Sequence, residues 1–213
     1  MKVCVIGVGR FGYHLAVTLA DNGIEVLAVD SNEAIVASIR DKVSQAICLR
    51  VADEESLRSI GAEDMDVIVV AMGENFSQSI LVTALLKHRL NVKNVITRSI
   101  SEIHREILQL IGADQIVLPE REAGRRLADT LSLPFKALLR ITPHFCIAQT
   151  HVPFSMHNKP LKRLDLLDNY GIVVIGRKDG EEIEQIDPED LLAENDILIV
   201  SGTVKSLTRF TKL

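Results

Sequence analysis

The chain has 213 residues, 47% of them apolar, with a formal net charge of −5 and a pI near 5.7. That is enough chain for one large domain, or a medium and a small one, with a sizeable core. The acidic balance and the lack of Trp exclude the basic face and stacking platforms that nucleic-acid binding needs, and no apolar run approaches the ~20 residues of a bilayer span.

Strand and helix patterns alternate from the first residues. Strands are predicted near 2–6, 25–29, 45–49, 66–71, 94–98 and 115–118, and helices near 10–21, 32–42, 54–60, 76–90, 101–111 and 120–132. Six βα units with right-handed crossovers predict an α/β, Rossmann-type doubly wound parallel sheet. The boundary is expected at Pro134-Phe135, giving a nucleotide-binding domain over 1–134. Beyond it the pattern changes. Strands are expected over 144–152, 171–176, 182–186 and 196–202, with helices over 161–167 and 204–212. Asp179-Gly180 reads as a tight hairpin turn. Residues 135–213 thus form a small α+β domain, of a size that often leans on a partner.

The chemistry concentrates at the first turn. Val3-Cys4-Val5-Ile6 runs into Gly7-Val8-Gly9-Arg10-Phe11-Gly12, and Asp30 ends the next apolar run. Gly7 allows a tight turn, Gly9 lets main chain approach phosphate, and Gly12 lets helix pack on strand. The free N–H groups and dipole of that helix favour an anion. Asp30, with Ser31 beside it, is placed to accept from both ribose hydroxyls and to repel a 2′-phosphate, unless it only caps the following helix. Arg10 is either a phosphate ligand or a solvated helix-end arginine.

Further candidates lie at the same edge of the sheet. Ala71-Met72-Gly73 is a small-residue turn after the fourth strand. Asn75, Gln78 and Ser79 open the next helix, as ligand contacts or as capping. Asp53 and Glu54 open another helix, as site or as cap. Glu120 follows the sixth strand, where it can meet a ligand or a metal, or simply start a helix.

The cysteines, Cys4, Cys48 and Cys146, show no metal or redox spacing, which fits a reducing cytoplasm. Cys4 and Cys48 are expected in buried strands. The chain opens directly on a strand, with no signal-peptide pattern. His14, His88 and His104 fall on predicted helices, and His144, His151 and His157 around one strand, without a clear acid–base partner. No catalytic residue is therefore expected. The alternatives are an NAD(H)-dependent oxidoreductase or a soluble redox-sensing NAD(H)-binding regulator.

The segments Val5-Ile6-Gly7-Val8-Gly9-Arg10-Phe11-Gly12, Val26-Leu27-Ala28-Val29-Asp30, Val69-Val70-Ala71-Met72-Gly73, Ile111-Gly112-Ala113-Asp114 and Pro119-Glu120 resemble the N-terminal RCK (regulator of conductance of potassium) domain. Leu161-Lys162-Arg163-Leu164-Asp165, Asn169-Tyr170-Gly171-Ile172-Val173-Val174-Ile175-Gly176-Arg177 and Asn195-Asp196-Ile197-Leu198-Ile199-Val200-Ser201-Gly202 resemble the RCK C-terminal domain. The order is that of the regulatory subunits of Ktr/Trk-type potassium uptake systems (TrkA/KtrA-like). The resemblance implies a cytoplasmic subunit, peripheral at the inner face of the membrane. It implies self-assembly into dimers and a ring, commonly an octamer, beneath a TrkH/KtrB-like potassium-translocating subunit, with helix 120–132 as the crossover helix. It implies ATP/ADP or NAD/NADH in the crevice, with nucleotide identity altering ring shape and gating. Arg10 resembles the arginine that meets nucleotide phosphate, and Arg98 stands where related chains carry a basic residue near the phosphates. Glu120 resembles an acidic residue where some members bind Mg²⁺ or another divalent cation. Some relatives bind cyclic di-AMP through a basic residue before the Tyr-Gly. Leu166-Leu167-Asp168-Asn169-Tyr170-Gly171 offers no such cation, which argues against that ligand.

Overall fold

The computed structural model describes every residue except Glu74, Lys136 and Leu213. The chain divides into two compact units, Met1–Arg121 and Glu122–Leu213. The division falls inside a helix, thirteen residues before the boundary expected at Pro134-Phe135.

The first unit contains β1 (Lys2–Ile6), α1 (Arg10–Asp21), β2 (Glu25–Asp30), α2 (Glu33–Ile39), β3 (Gln45–Cys48), α3 (Glu54–Ser59), β4 (Val67–Val70), α4 (Phe76–His88), β5 (Val95–Arg98), α5 (Glu102–Ile111), β6 (Gln115–Val117) and the start of α6 (Pro119–Ser132). The strands are parallel, in the order β3-β2-β1-β4-β5-β6. The order reverses between β1 and β4, which opens a crevice at their carboxyl ends. The central strands are apolar on both faces, with Val3–Ile6 and Val26–Val29 almost fully buried, because helices cover both sides. One core face gathers Ile6, Val29, Ile68, Val70, Val82 and Leu86, and the other Val3, Val5, Ala16, Val26, Ile39 and Val69. Every predicted strand and helix of this unit is present. The helix predicted over 32–42 ends at Ile39 and tightens into a 3₁₀ turn, Arg40–Lys42. His104 is fully buried on α5, with its ring centroid 4.6 Å from that of Phe76. Burial lowers its pKa, so the ring stays neutral. Cys4 is buried as expected, and its thiol is pushed up to about 12 by desolvation. Cys48 is a correction: β3 is the edge strand, and its last residue is exposed.

The second unit contains the remainder of α6, then β7 (Ala137–Arg140), β8 (Phe145–His151), α7 (Leu161–Leu164), α8 (Leu166–Tyr170), β9 (Ile172–Asp179), β10 (Glu182–Glu184), β11 (Ile197–Thr203) and α9 (Val204–Phe210). Its five-stranded sheet has the order β10-β9-β11-β8-β7, and its strand pairs are antiparallel. The core comprises Cys146, Ala148, Leu166, Ile172, Leu198, Val200, Leu207 and Phe210. Two features escape the sequence pattern. β7 is only four residues long, directly after the Pro134-Phe135 signal, and reads as linker. The single helix predicted over 161–167 is two, α7 and α8, broken at Asp165, whose φ of 43° takes the left-handed conformation.

Arg140 on β7 grips Asp129 on α6 with two parallel hydrogen bonds of 2.6 Å, from Nε to Oδ2 and from Nη2 to Oδ1. The guanidinium holds the Asp129 carboxyl below its ordinary value. A depressed folded pKa contributes stability above the unfolded value, which is lost as pH falls through the folded one. Thermal unfolding should therefore lose stability as pH drops below about 4, and Asp129→Asn should flatten that dependence. Identical acid profiles for the two proteins would exclude the pair as a stabilising contact.

Candidate nucleotide-binding site

The crevice is built by a steric constraint at the end of β1. Gly7 has φ of 92°, open to glycine at little cost. A Cβ on Gly12 would lie 2.0 Å from the Gly7 carbonyl oxygen. Glycine at position 12 thus lets α1 press against the turn. Gly9 is the N-cap of α1 and contributes no side-chain cap, while a Cβ built on it would meet nothing within 4 Å. The first turn of α1 carries no acidic residue either. Its amides face open space with the positive end of the helix dipole behind them.

Asp30 lies at the end of β2, where parallel pairing sets Ile6 beside Val29. Its Oδ2 accepts from the Val8 amide at 2.7 Å and its Oδ1 from the Asn32 amide at 2.9 Å. One carboxylate thereby staples the glycine turn to the β2–α2 loop. Each oxygen keeps a lone pair for a further donor.

The resulting cavity has a volume of about 630 Å³, within the range of small-molecule sites. Gly7, Gly9, Arg10 and Phe11 line it from the turn, and Asp30 and Ser31 from the end of β2. Ala71, Met72 and Gly73 line it after β4, with Asn75 and Gln78 at the start of α4. Arg98 and Glu120 close it from β5 and α6. A Cβ on Gly73 would sit 2.4 Å from Arg98 Nη1, so this glycine makes room for the guanidinium. Arg98 lies 5.9 Å from the Phe11 ring centroid and pairs with Glu120, while its Nε is buried with no hydrogen-bond partner among the described residues. Asn75 caps α4, accepting from the Gln78 amide at 3.0 Å, and Gln78 Nε2 donates to the Val51 carbonyl at 2.6 Å. Asn75 therefore both caps and lines, while Gln78 lines the cavity and ties α4 to the Val51 carbonyl. Ser79, fully buried one residue further along α4, stands outside the lining.

Val8, Gly12, Asp53 and Glu54 do not line the cavity either; Glu54 pairs with Arg58 at 2.9 Å. Val8 is buried, and its amide is spent on Asp30. Gly12 lies beneath the turn and shapes it. Asp53 is the N-cap of α3, with Oδ1 accepting from the Ser56 amide at 2.8 Å in a capping box with Ser56. That backbone bond lowers its carboxyl pKa. The spacing Asp53-Glu54-Glu55-Ser56 was the signal for this cap. Conversely, Asn32, Ile35, Leu49, Arg50 and Val51 line the cavity and were missed. They belong to a helix start and a loop beside the edge strand, with no motif of their own. Among the described residues no three His, Cys, Asp or Glu side chains gather as a metal cluster.

A glycine turn, an uncapped helix start and a strand-end carboxylate at the switch point of a parallel sheet define a Rossmann-type nucleotide-binding fold. The chain belongs to the family of potassium-uptake proteins built from a TrkA-N domain, matched here over residues 3–119, and a TrkA-C domain, matched over 153–213. It is 33% identical to the Ktr system potassium uptake protein C of Bacillus subtilis, over 99% of this chain and 96% of that one. It is 34% identical to the Ktr system potassium uptake protein A of Vibrio alginolyticus, over 99% and 96%. Among solved structures, the GsuK RCK domain superposes over all of this chain with a TM-score of 0.68 at 17% identity. The GsuK channel bound to NAD superposes over 97% of it with a TM-score of 0.66, also at 17% identity. This chain spans 48% and 38%, respectively, of those two chains.

Replacing Asp53 by Ala should lower the unfolding midpoint through loss of the α3 cap and leave adenine-nucleotide affinity unchanged. A calorimetric titration in which D53A loses nucleotide affinity as strongly as a Gly9 substitution would return Asp53 to the site.

Proposed function

We propose that the protein is a nucleotide-sensing regulatory subunit of a potassium uptake system, and that the β1/β4 crevice is the sensor pocket. The observation that carries this reading is the open first turn of α1, with Arg10 and Arg98 on one side and the Asp30 carboxylate on the other. A phosphate chain lies against the Gly9–Phe11 segment at the start of α1, with the two guanidinium groups neutralising it. The ribose hydroxyls donate to the free lone pairs of Asp30, which disfavours a 2′-phosphate. Ile35, Leu49 and Val51 supply the apolar wall for a base. The ligand is ATP/ADP or NAD/NADH, since Asp30 serves either ribose. With a triphosphate, Glu120 adds an oxygen ligand for a divalent cation held with the phosphates.

In this reading the crevice binds its nucleotide without turning it over. Residues 1–134 sense the nucleotide and 135–213 serve assembly. The subunit is cytoplasmic, self-associates into a ring, and docks on a separate potassium-translocating membrane protein. No helix of the described residues is long and apolar enough to cross a membrane. A ligand shifts such an assembly only by its differential affinity for the two states. A tenfold preference supplies about 1.4 kcal/mol per site, and these contributions add over subunits that move together.

Arg10→Ala should weaken ATP binding at least tenfold while changing adenosine binding little. Calorimetric titration showing equal losses for both would remove Arg10 from phosphate contact, and an unaltered wild-type heat on adding any adenine nucleotide would end the reading.

A further inference from the structure

The second unit carries an open groove of about 820 Å³ that the crevice does not explain. One wall is α9 and the residues after it, which present Lys205, Arg209 and Lys212. The other is the turn between β7 and β8, which presents Arg140 and His144. The walls are tied together by the Val204 amide, which donates to the His144 carbonyl at 3.1 Å. Among the described residues no Asp or Glu lines the groove.

The charge arrangement is unfavourable for the chain by itself. The spacing of four and three residues puts Lys205, Arg209 and Lys212 on one exposed face, opposite the buried Leu207 and Phe210. Like charges four residues apart on a helix repel. Lys205 also sits in the first turn of α9, where the dipole disfavours a cation. In segment 203–212 these three cations are accompanied by no carboxylate, although the whole chain is acidic. Among the described residues the ion-paired acids of this unit, Asp129, Glu189, Glu184 and Asp196, meet Arg140, Lys162 and Arg177 and none of the three helix-face cations. Arg140 is thereby neutralised, whereas Lys205, Arg209 and Lys212 have no ion-pair partner among the described residues. Arg209 stands 5.6 Å from the Tyr170 ring centroid, which positions its guanidinium. A local arrangement that breaks helix electrostatics without internal compensation marks a functional surface.

We propose that this groove is a second ligand site, separate from the nucleotide crevice, that binds a phosphate-bearing anion through Lys205, Arg209 and Lys212. The cations attract the phosphate, His144 adds a ring donor, and Pro143 and Val204 give an apolar floor for the rest of the ligand. Such a phosphate can come from a soluble metabolite or from the headgroup of an anionic lipid.

The test uses the full-length protein and the variant Lys205→Gln/Arg209→Gln/Lys212→Gln. Unfolding midpoint and adenine-nucleotide titration serve as controls that fold and crevice are intact. Inorganic pyrophosphate is titrated calorimetrically, and vesicles of phosphatidylglycerol, with phosphatidylcholine vesicles as reference, are tested by co-sedimentation. Binding of either probe that weakens at least tenfold in the triple variant, falls with added salt, and persists in Lys205→Arg/Lys212→Arg supports the site. A positive pyrophosphate arm assigns a soluble ligand, and a positive vesicle arm a lipid headgroup. Failure of both probes to bind the wild-type protein, or binding that survives the triple substitution, overturns the proposal.

Discussion

The contact on which the first unit depends is the approach of α1 to the turn at the end of β1. With 2.0 Å between a notional Gly12 Cβ and the Gly7 carbonyl oxygen, any side chain at position 12 forces helix and turn apart. Overpacking against backbone costs about 3 kcal/mol, and here it would also move the amides that face the cavity. The Asp30 carboxylate secures the same geometry from the other side, holding the Val8 amide at 2.7 Å. Steric fit and one charge-assisted hydrogen bond thus leave an uncapped helix start at the switch point of the sheet.

The cationic side of the crevice is arranged around that helix start. The Arg98 guanidinium occupies the space beside Gly73, and it lies over Phe11 from the glycine turn itself. Its pairing with Glu120 satisfies one edge of the guanidinium and leaves Nε buried with no partner among the described residues. A buried N–H of this kind is costly to leave unpaired, and an acceptor on a ligand would remove that cost. The crevice therefore holds complementary charge at its two ends, carboxylate at β2 and guanidinium at β5.

Much of this was legible in the sequence, because the parallel sheet announces itself through short β-branched runs at regular spacing. Gly7, Gly9, Arg10, Asp30, Gly73 and Arg98 were all readable from motif or resemblance, and the cavity brings them together. What stayed hidden has physical reasons. The wall at Leu49, Arg50 and Val51 follows an edge strand and carries no periodicity. Asp53 looked like a site acid because a helix-start carboxylate reads alike whether it caps or binds. Cys48 looked buried because strand pattern does not say which strand lies at the edge. In the second unit, β7 was masked by its length and by the proline before it, and the break at Asp165 by the helical spacing of its leucines.

Hydrogen–deuterium exchange of the full-length protein with ADP and with adenosine tests the central claim most directly. If the open turn of α1 is the phosphate site, ADP slows exchange in peptides covering residues 7–13, while adenosine slows only those covering 30–35. Unchanged exchange over 7–13 under saturating ADP would contradict it.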